Sequence, residues 1–133
     1  MENKAVETNS RPTVMVVDDE DMVRELVRHG LQARGYEVNE AVNGEQALNY
    51  LDACSSLPSL VILDLRMPVM GGDELLPVLA SKFPGLKILV SSGYSERQVR
   101  RSILSGSVAG FLEKPYTVAE LAAKVEEVLQ ARQ

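Results

Sequence analysis

Five residues of this chain carry side chains that do chemistry rather than packing: Asp18, Asp19, Asp64, Ser92 and Lys114. Each stands where an apolar run ends or gives way to a turn. Asp18 and Asp19 follow Thr-Val-Met-Val-Val at 13–17, and Asp64 follows Leu-Val-Ile-Leu at 60–63. If those runs are buried strands of one sheet, three carboxylates, a hydroxyl and an ammonium gather at a single edge. Like charges that close repel, so the cluster calls for a cation. Oxygen-only ligands suit Mg²⁺, a usual companion of phosphoryl transfer. Ser92 can donate a hydrogen bond to a phosphoryl oxygen, Lys114 can offer it a point charge, and a carboxylate can itself be the nucleophile that forms an acyl phosphate. Taken singly, an acid after a strand is often only a helix cap, and Lys114-Pro115 only a strand exit. It is the joint placement that argues for a site.

The elements that must position these residues are legible in the pattern. Strands are expected near 13–17, 36–41, 60–63, 86–91 and 108–113, and the continuous Val/Ile/Leu runs of the first, third and fourth imply burial on both faces. Between them lie helical stripes. Val23, Leu26, Val27, Gly30 and Leu31 line the first helix, near 20–34, with His29 off the stripe and solvated. The second starts at Asn43-Gly44, with Asn43 as N-cap and Ala47, Leu48 and Leu51 inward. The third begins at Gly72 and ends before Phe83-Pro84, and Pro77 is expected early enough in it to cost little. Ser95-x-x-Gln98 and Thr117-x-x-Glu120 are capping boxes that open the fourth and fifth. Five βα units joined by right-handed crossovers give an α/β doubly wound parallel sheet, strand order 2-1-3-4-5. Ligands of such a sheet bind beyond the carboxyl ends of its strands, where the strand order reverses. That point lies between strands one and three, which end in Asp18-Asp19 and Asp64.

Composition narrows the field. The 133 residues suffice for one domain with a core, and 45% hydrophobic against 25% charged is ordinary for a globular protein. A net charge of −5 argues against direct binding of nucleic acid or anionic lipid. No apolar stretch approaches the roughly 20 residues of a membrane span, and the N-terminus lacks a signal-peptide pattern. A lone cysteine, Cys54, allows no internal disulfide and suits a cytoplasmic setting. Cys54 with the lone His29 lacks any catalytic context, so Cys54 is expected to pack at a helix end. Residues 1–12 are polar and unpatterned, a flexible leader ahead of a domain at 13–131.

Four segments, Val17-Asp18-Asp19-Glu20, Leu63-Asp64-Leu65-Arg66-Met67-Pro68-Val69-Met70-Gly71-Gly72, Val90-Ser91-Ser92-Gly93-Tyr94 and Phe111-Leu112-Glu113-Lys114-Pro115, together resemble the motifs of response-regulator receiver domains over 13–131. The resemblance implies a flavodoxin-like (βα)5 fold and a phosphorylation-dependent switch. Its partner would be a sensor histidine kinase or a histidine phosphotransfer protein, and its only chemistry self-phosphorylation and autodephosphorylation. It implies Asp64 as phosphoacceptor, Asp19 as direct Mg²⁺ ligand, Asp18 acting mostly through water, and the Arg66 carbonyl completing the metal's protein ligands. It also implies Ser92 and Lys114 as phosphate contacts, Phe111 with Ser92 as the switch pair, and Arg66 and Tyr94 as the residues that set phosphate lifetime. The chain fits either a stand-alone receiver or one excised from a hybrid sensor kinase.

Ser stands where Thr is common, Phe where Tyr is common, and Gly71-Gly72 replaces Asp-Gly, which is expected to loosen that loop. A face built from helix four, strand five and helix five is expected to respond to phosphorylation. Arg97, Arg100 and Arg101 there oppose Glu120, Glu126 and Glu127, a charge pattern fit for a two-fold dimer or another partner. Two other functions share parts of this chemistry. A haloacid-dehalogenase-like Mg²⁺-dependent phosphatase also uses an aspartyl nucleophile, but places a second Asp where Arg66 stands. A flavodoxin-type FMN protein shares the fold, but needs a phosphate loop where this chain has acids.

Overall fold

A computed structural model describes residues 12–102 and 108–131; the expected leader falls almost wholly outside that range, as do 132–133. The elements alternate without exception: β1 Thr13–Val17, α1 Asp21–Gln32, β2 Glu37–Ala41, α2 Gly44–Ala53, β3 Leu60–Asp64, α3 Gly72–Lys82, β4 Lys87–Ser92, α4 Glu96–Ser102, β5 Gly110–Glu113 and α5 Val118–Gln130. The five strands form one parallel sheet in the order 2-1-3-4-5.

Period-two alternation along each strand divides the core. Met15, Val17, Val61, Leu63, Ile88 and Val90 point to one face, where they meet Leu51 of α2, Leu75 and Leu79 of α3 and Val99 of α4. Val14, Val16, Leu60, Ile62, Leu89 and Leu112 point to the other, against Val27 and Leu31 of α1 and Leu121, Val125 and Val128 of α5. β3 is buried along its whole length, as its unbroken apolar run requires. The same alternation, carried past the last core residue, puts Asp18, Asp64 and Lys114 on the α1/α5 side and Ser92 on the α3/α4 side.

The caps fall where their residues predict. Asn43 accepts from Gln46 N, and Thr117 and Glu120 bond reciprocally at the start of α5. Ser95 and Gln98 do the same at α4. Cys54 caps α2, its Sγ 3.3 Å from the Leu51 carbonyl oxygen, and His29 is exposed.

Two expectations fail on geometry. Pro77 is the sixth residue of α3, past the first turn, so it removes an internal hydrogen bond to the Asp73 carbonyl. It is tolerated on an exposed position, while Leu75, Leu76 and Leu79 hold the buried face. The Gly71-Gly72 pair does not loosen its loop. Gly72 donates to the Leu65 carbonyl at 3.0 Å, and a Cβ on Gly72 would collide with the Asp64 carbonyl oxygen. A Cβ on Gly71 would stand 2.7 Å from the Leu65 oxygen. Glycine here lets the backbone close tightly behind the end of β3. Next to it Val69 holds φ 72°, a turn conformation in which Met70 N meets the Pro68 oxygen at 2.8 Å.

Candidate functional site

The carboxyl ends of β1 and β3 bring Asp18, Asp19 and Asp64 together, with one carboxylate oxygen from each inside a 4.8 Å span. Asp18 and Asp64 are buried, at 2% and 6% exposure, and Asp19 is open to solvent. Asp18 continues the ladder by donating its N–H to the Ala41 carbonyl at 3.0 Å, which fixes its direction. Its Oδ1 accepts the Glu20 N–H at 2.9 Å.

Lys114 occupies the middle of this cluster. Its Nζ lies 2.8 Å from Asp18 Oδ2, 3.4 Å from Glu20 Oε1 and 3.5 Å from Asp64 Oδ1. The β5 exit is tied to β4 by the Lys114 N–H donating to the Ser92 carbonyl at 2.8 Å. So the ammonium neutralises the acids directly, and its nearest partner is Asp18 rather than Asp64. Burial alone would lower the Lys114 pKa, but the Asp18 hydrogen bond and the Asp18, Asp64 and Glu20 charges carry it above the ordinary lysine value. The Asp64 carboxyl is pushed up to about 6, by burial first and by the Asp18 charge second, against the opposing pull of Lys114 and the Arg66 N–H.

Ser92 is 2% exposed and turned the other way, its Oγ accepting the Tyr94 N–H at 3.1 Å. No hydrogen bond joins its side chain to Asp64 or Lys114 among the described residues. Arg66 follows Asp64 by two positions, and its guanidinium carbon lies 4.9 Å from the centre of the Tyr94 ring. That stack, with Leu65, Asp73, Gln98 and Val99, lines a cavity of about 330 Å³ beside the end of β3. Phe111, the Cα partner of Val90, is half-buried against the α2/α3/α4 core.

Two residues of the site carry no linear signal. Glu20 is the third partner of Lys114, although in sequence it is one more acid in an acidic string. Arg24, a turn into α1, holds the Asp18 carbonyl oxygen at 2.7 Å and reaches Glu40 of β2 at 3.3 Å. It pairs also with Asp21. Arg24 thereby pins the β1 exit to α1, a role visible only once the helix is folded back on the sheet.

The donor set fits Mg²⁺: carboxylates from three residues at one point, two of them buried, with no nitrogen or sulfur ligand among them. Among the described residues no helix is long and apolar enough to cross a membrane.

The model of the "Response regulator receiver domain" family matches residues 14–126. The chain is 37% identical over 127 residues to the sensor kinase CckA of Brucella abortus, covering 96% of this chain and 13% of that kinase. It is 33% identical to the transcriptional regulatory protein PrrA of Mycobacterium leprae, covering 92% of this chain and 52% of the regulator. The chain thus spans about half the length of one of these relatives and far less of the other. Among solved structures, response regulator TrrA of Thermotoga maritima, in complex with Mg²⁺ and BeF, superposes with TM-score 0.78 at 35% identity over 89% of this chain and 99% of that one. Chemotaxis response regulator CheY4 of Vibrio cholerae gives 0.80 at 29% identity over 90% and 99%.

The raised Asp64 pKa has a defined sign. A carboxyl that titrates higher folded than unfolded adds stability below its unfolded value, near 3.8, and loses that contribution as pH rises through about 6. At neutral pH the ionised Asp64 therefore destabilises the metal-free protein. Asp64→Asn is expected to stabilise it there by about 2–3 kcal/mol in urea unfolding. The advantage should vanish as pH falls from about 6 to about 4. An equal advantage at all pH values would refute this electrostatic account.

Proposed function

The chain belongs to the response regulator receiver domain family, and from that premise we propose that it is a Mg²⁺-dependent phosphorylation switch whose phosphoacceptor is Asp64. The observation that carries this reading is the position of Asp64: the last residue of a fully buried strand, 6% exposed, with Asp18 and Lys114 beside it. The donor is a phosphohistidine of a sensor kinase or a histidine phosphotransfer protein. The Asp64 carboxylate oxygen attacks phosphorus, the new O–P bond forms, and the N–P bond breaks with its electron pair left on the imidazole. Bound Mg²⁺ supplies positive charge to the carboxylates and to the phosphoryl oxygens.

Asp18, Asp19, Asp64 and the Arg66 carbonyl hold the metal in this reading. The exposed Asp19 is free to offer a direct oxygen, while Asp18 is engaged by Lys114. Lys114 exchanges its longer Asp64 contact for a phosphoryl oxygen. The Ser92 hydroxyl, whose oxygen accepts the Tyr94 N–H, keeps its own proton to donate. Phe111 sits in an apolar setting and follows Ser92 through the β4–β5 pairing, Val90 beside Phe111. A phosphatase of the haloacid-dehalogenase kind finds no support: the second position after Asp64 is a guanidinium stacked on Tyr94, not an acid.

With Mg²⁺ and a small phosphodonor such as acetyl phosphate, the chain should gain one phosphate in intact-mass analysis, and Asp64→Asn should gain none. Uptake by the variant at the wild-type rate would remove Asp64 from the role.

The Arg66–Tyr94 stack lies beside the end of β3, which supports shielding of an acyl phosphate on Asp64 from water and hence slow autodephosphorylation. Arg66→Ala or Tyr94→Ala should hasten phosphate loss from purified phosphoprotein several-fold, by about 1 kcal/mol of barrier. Equal or slower decay in both rejects shielding.

The face of α4, β5 and α5 is the proposed signalling surface. Arg100 is taken up by Glu96 at 2.7 Å, whereas Arg97 and Arg101 have no acid partner among the described residues. Glu120 and Glu126 on α5 offer the complementary charge for a second copy. Sedimentation with beryllofluoride and Mg²⁺ should show a dimer at low salt that weakens at high salt. A monomer under both conditions excludes that assembly.

A further inference from the structure

Asp19 is the one acid of the cluster that the protein does not hold by its side chain. No hydrogen bond or ion pair engages its carboxylate among the described residues, yet one of its oxygens lies within 4.8 Å of oxygens of Asp18 and Asp64. What aims it is the backbone on either side. The Asp18 carbonyl and the Asp19 N–H belong to one peptide plane, and the Asp19 carbonyl and the Glu20 N–H to the next. Once both planes are fixed, so is the direction in which the Asp19 side chain leaves the backbone.

Both planes are tied. The Glu20 N–H donates to Asp18 Oδ1 at 2.9 Å, which holds the second. The first is held by Arg24, whose Nη1 donates to the Asp18 carbonyl oxygen at 2.7 Å, a charge-assisted bond. The Arg24 side chain is only 12% exposed, and its fork is locked from behind. Its Nε reaches Glu40 Oε1 of β2 at 3.3 Å, while Arg28 holds the other Glu40 oxygen at 2.6 Å. The remaining arm pairs with the exposed Asp21. The main chain of Arg24 adds an N–H bond to the Glu20 carbonyl at 3.1 Å. A simple ion pair between α1 and β2 requires none of this, and Arg28 makes one without touching Asp18.

We infer that Arg24 is a positioning residue for the metal site: by gripping the Asp18 carbonyl it fixes the Asp18–Asp19 peptide, and so keeps the Asp19 carboxylate where it meets Asp18 and Asp64. The ligand itself stays unbonded and open to a cation, and its geometry is set one peptide bond away. This rests on the reading of Asp19 as a direct Mg²⁺ ligand. The role has a sign that separates it from a field effect. If Arg24 acted through its charge alone, a neutral replacement would remove a nearby cation and tighten Mg²⁺ binding. Positioning gives the opposite, because a ligand released from its geometry binds more weakly.

The test compares the full chain with Arg24→Met, Arg28→Met, Asp19→Ala and the Arg24→Met/Asp19→Ala double variant. Each is titrated with Mg²⁺ and followed by amide chemical shifts, which measure weak binding and report the fold in the same spectra. Arg24→Met should weaken Mg²⁺ binding roughly ten-fold. Arg28→Met, which loosens the same α1–β2 pairing but leaves Asp18 alone, should stay within about two-fold of wild type. In the Asp19→Ala background Arg24→Met should cost little more, since the carboxylate it positions is gone. Arg24→Gln, too short to span Asp18 and Glu40, carries the same expectation should Arg24→Met fail to fold. Unchanged or tighter binding in the Arg24 variants overturns the proposal. So does an equal loss in Arg28→Met, the mark of general loosening, and so does a full loss that persists in the Asp19→Ala background. Wild-type affinity in Asp19→Ala alone means that the reading of Asp19 as ligand has failed, an outcome visible in that single variant and distinct from any result at Arg24.

Discussion

One ammonium among three acids governs this molecule. Lys114 is drawn to Asp18, Glu20 and Asp64 from the end of β5, while the acids themselves come from the ends of β1 and β3 and the turn that follows. Without it, two buried carboxylates would face each other at a sheet edge, and each would pay for desolvation and for the other's charge. With it, the cluster is stable but not quiet. The Asp64 carboxyl remains raised to about 6 even with Lys114 in place. The protein has been built with residual repulsion at the one point where a cation and a phosphoryl group would bind.

The sheet turns that point into a two-sided device. Alternation directs Asp18, Asp64, Ser91 and Lys114 toward α1 and α5, and Ser92 toward the opposite face, where Tyr94, Val99 and Phe111 lie. The two faces meet at adjacent residues, Ser91 and Ser92. A change in charge on Asp64 is therefore felt on the α1/α5 side by Lys114 and Asp18, and one residue along β4 on the side that carries α4. No long route is needed, because the backbone of a single strand joins the two. At the β3 exit the Gly71-Gly72 backbone closes tightly behind Asp64 and Leu65, with no room for a side chain between them.

The sequence was informative where a residue's position follows from periodicity and caps. The strand order, the Asn43 cap, both capping boxes and the convergence of Asp18, Asp19, Asp64 and Lys114 rest on such local rules, which chain packing then enforces. It was poor where a role depends on which neighbour is nearer in space. Nothing in the order of residues says that Lys114 prefers Asp18 to Asp64, that Glu20 shares it, or that Arg24 grips the Asp18 carbonyl. Pro77 is a different case: the helix starts at Gly72 as its residues indicate, yet five residues further on is already past the first turn, and the proline is tolerated there on an exposed position. The Gly pair was misread because glycine signals either freedom or close approach, and only the Asp64 and Leu65 carbonyls behind it decide between them.

The residual repulsion has a thermodynamic consequence. A ligand stabilises a protein only by what it binds better in the folded state than elsewhere, and a conformational switch needs a ligand that distinguishes two arrangements. A cation entering among Asp18, Asp19 and Asp64 gains the attraction of all three and also removes the repulsion already stored between them. In the proposed reading, a phosphoryl group on Asp64 would give Lys114 a new oxygen to serve in place of its longer Asp64 contact. Both steps would alter the same few contacts, so in that reading binding of metal and modification of Asp64 would be coupled. Their coupling follows from the small size of the site: one ammonium has more acceptors than it can satisfy at once, and whichever acceptor it leaves must be matched by another donor or another charge.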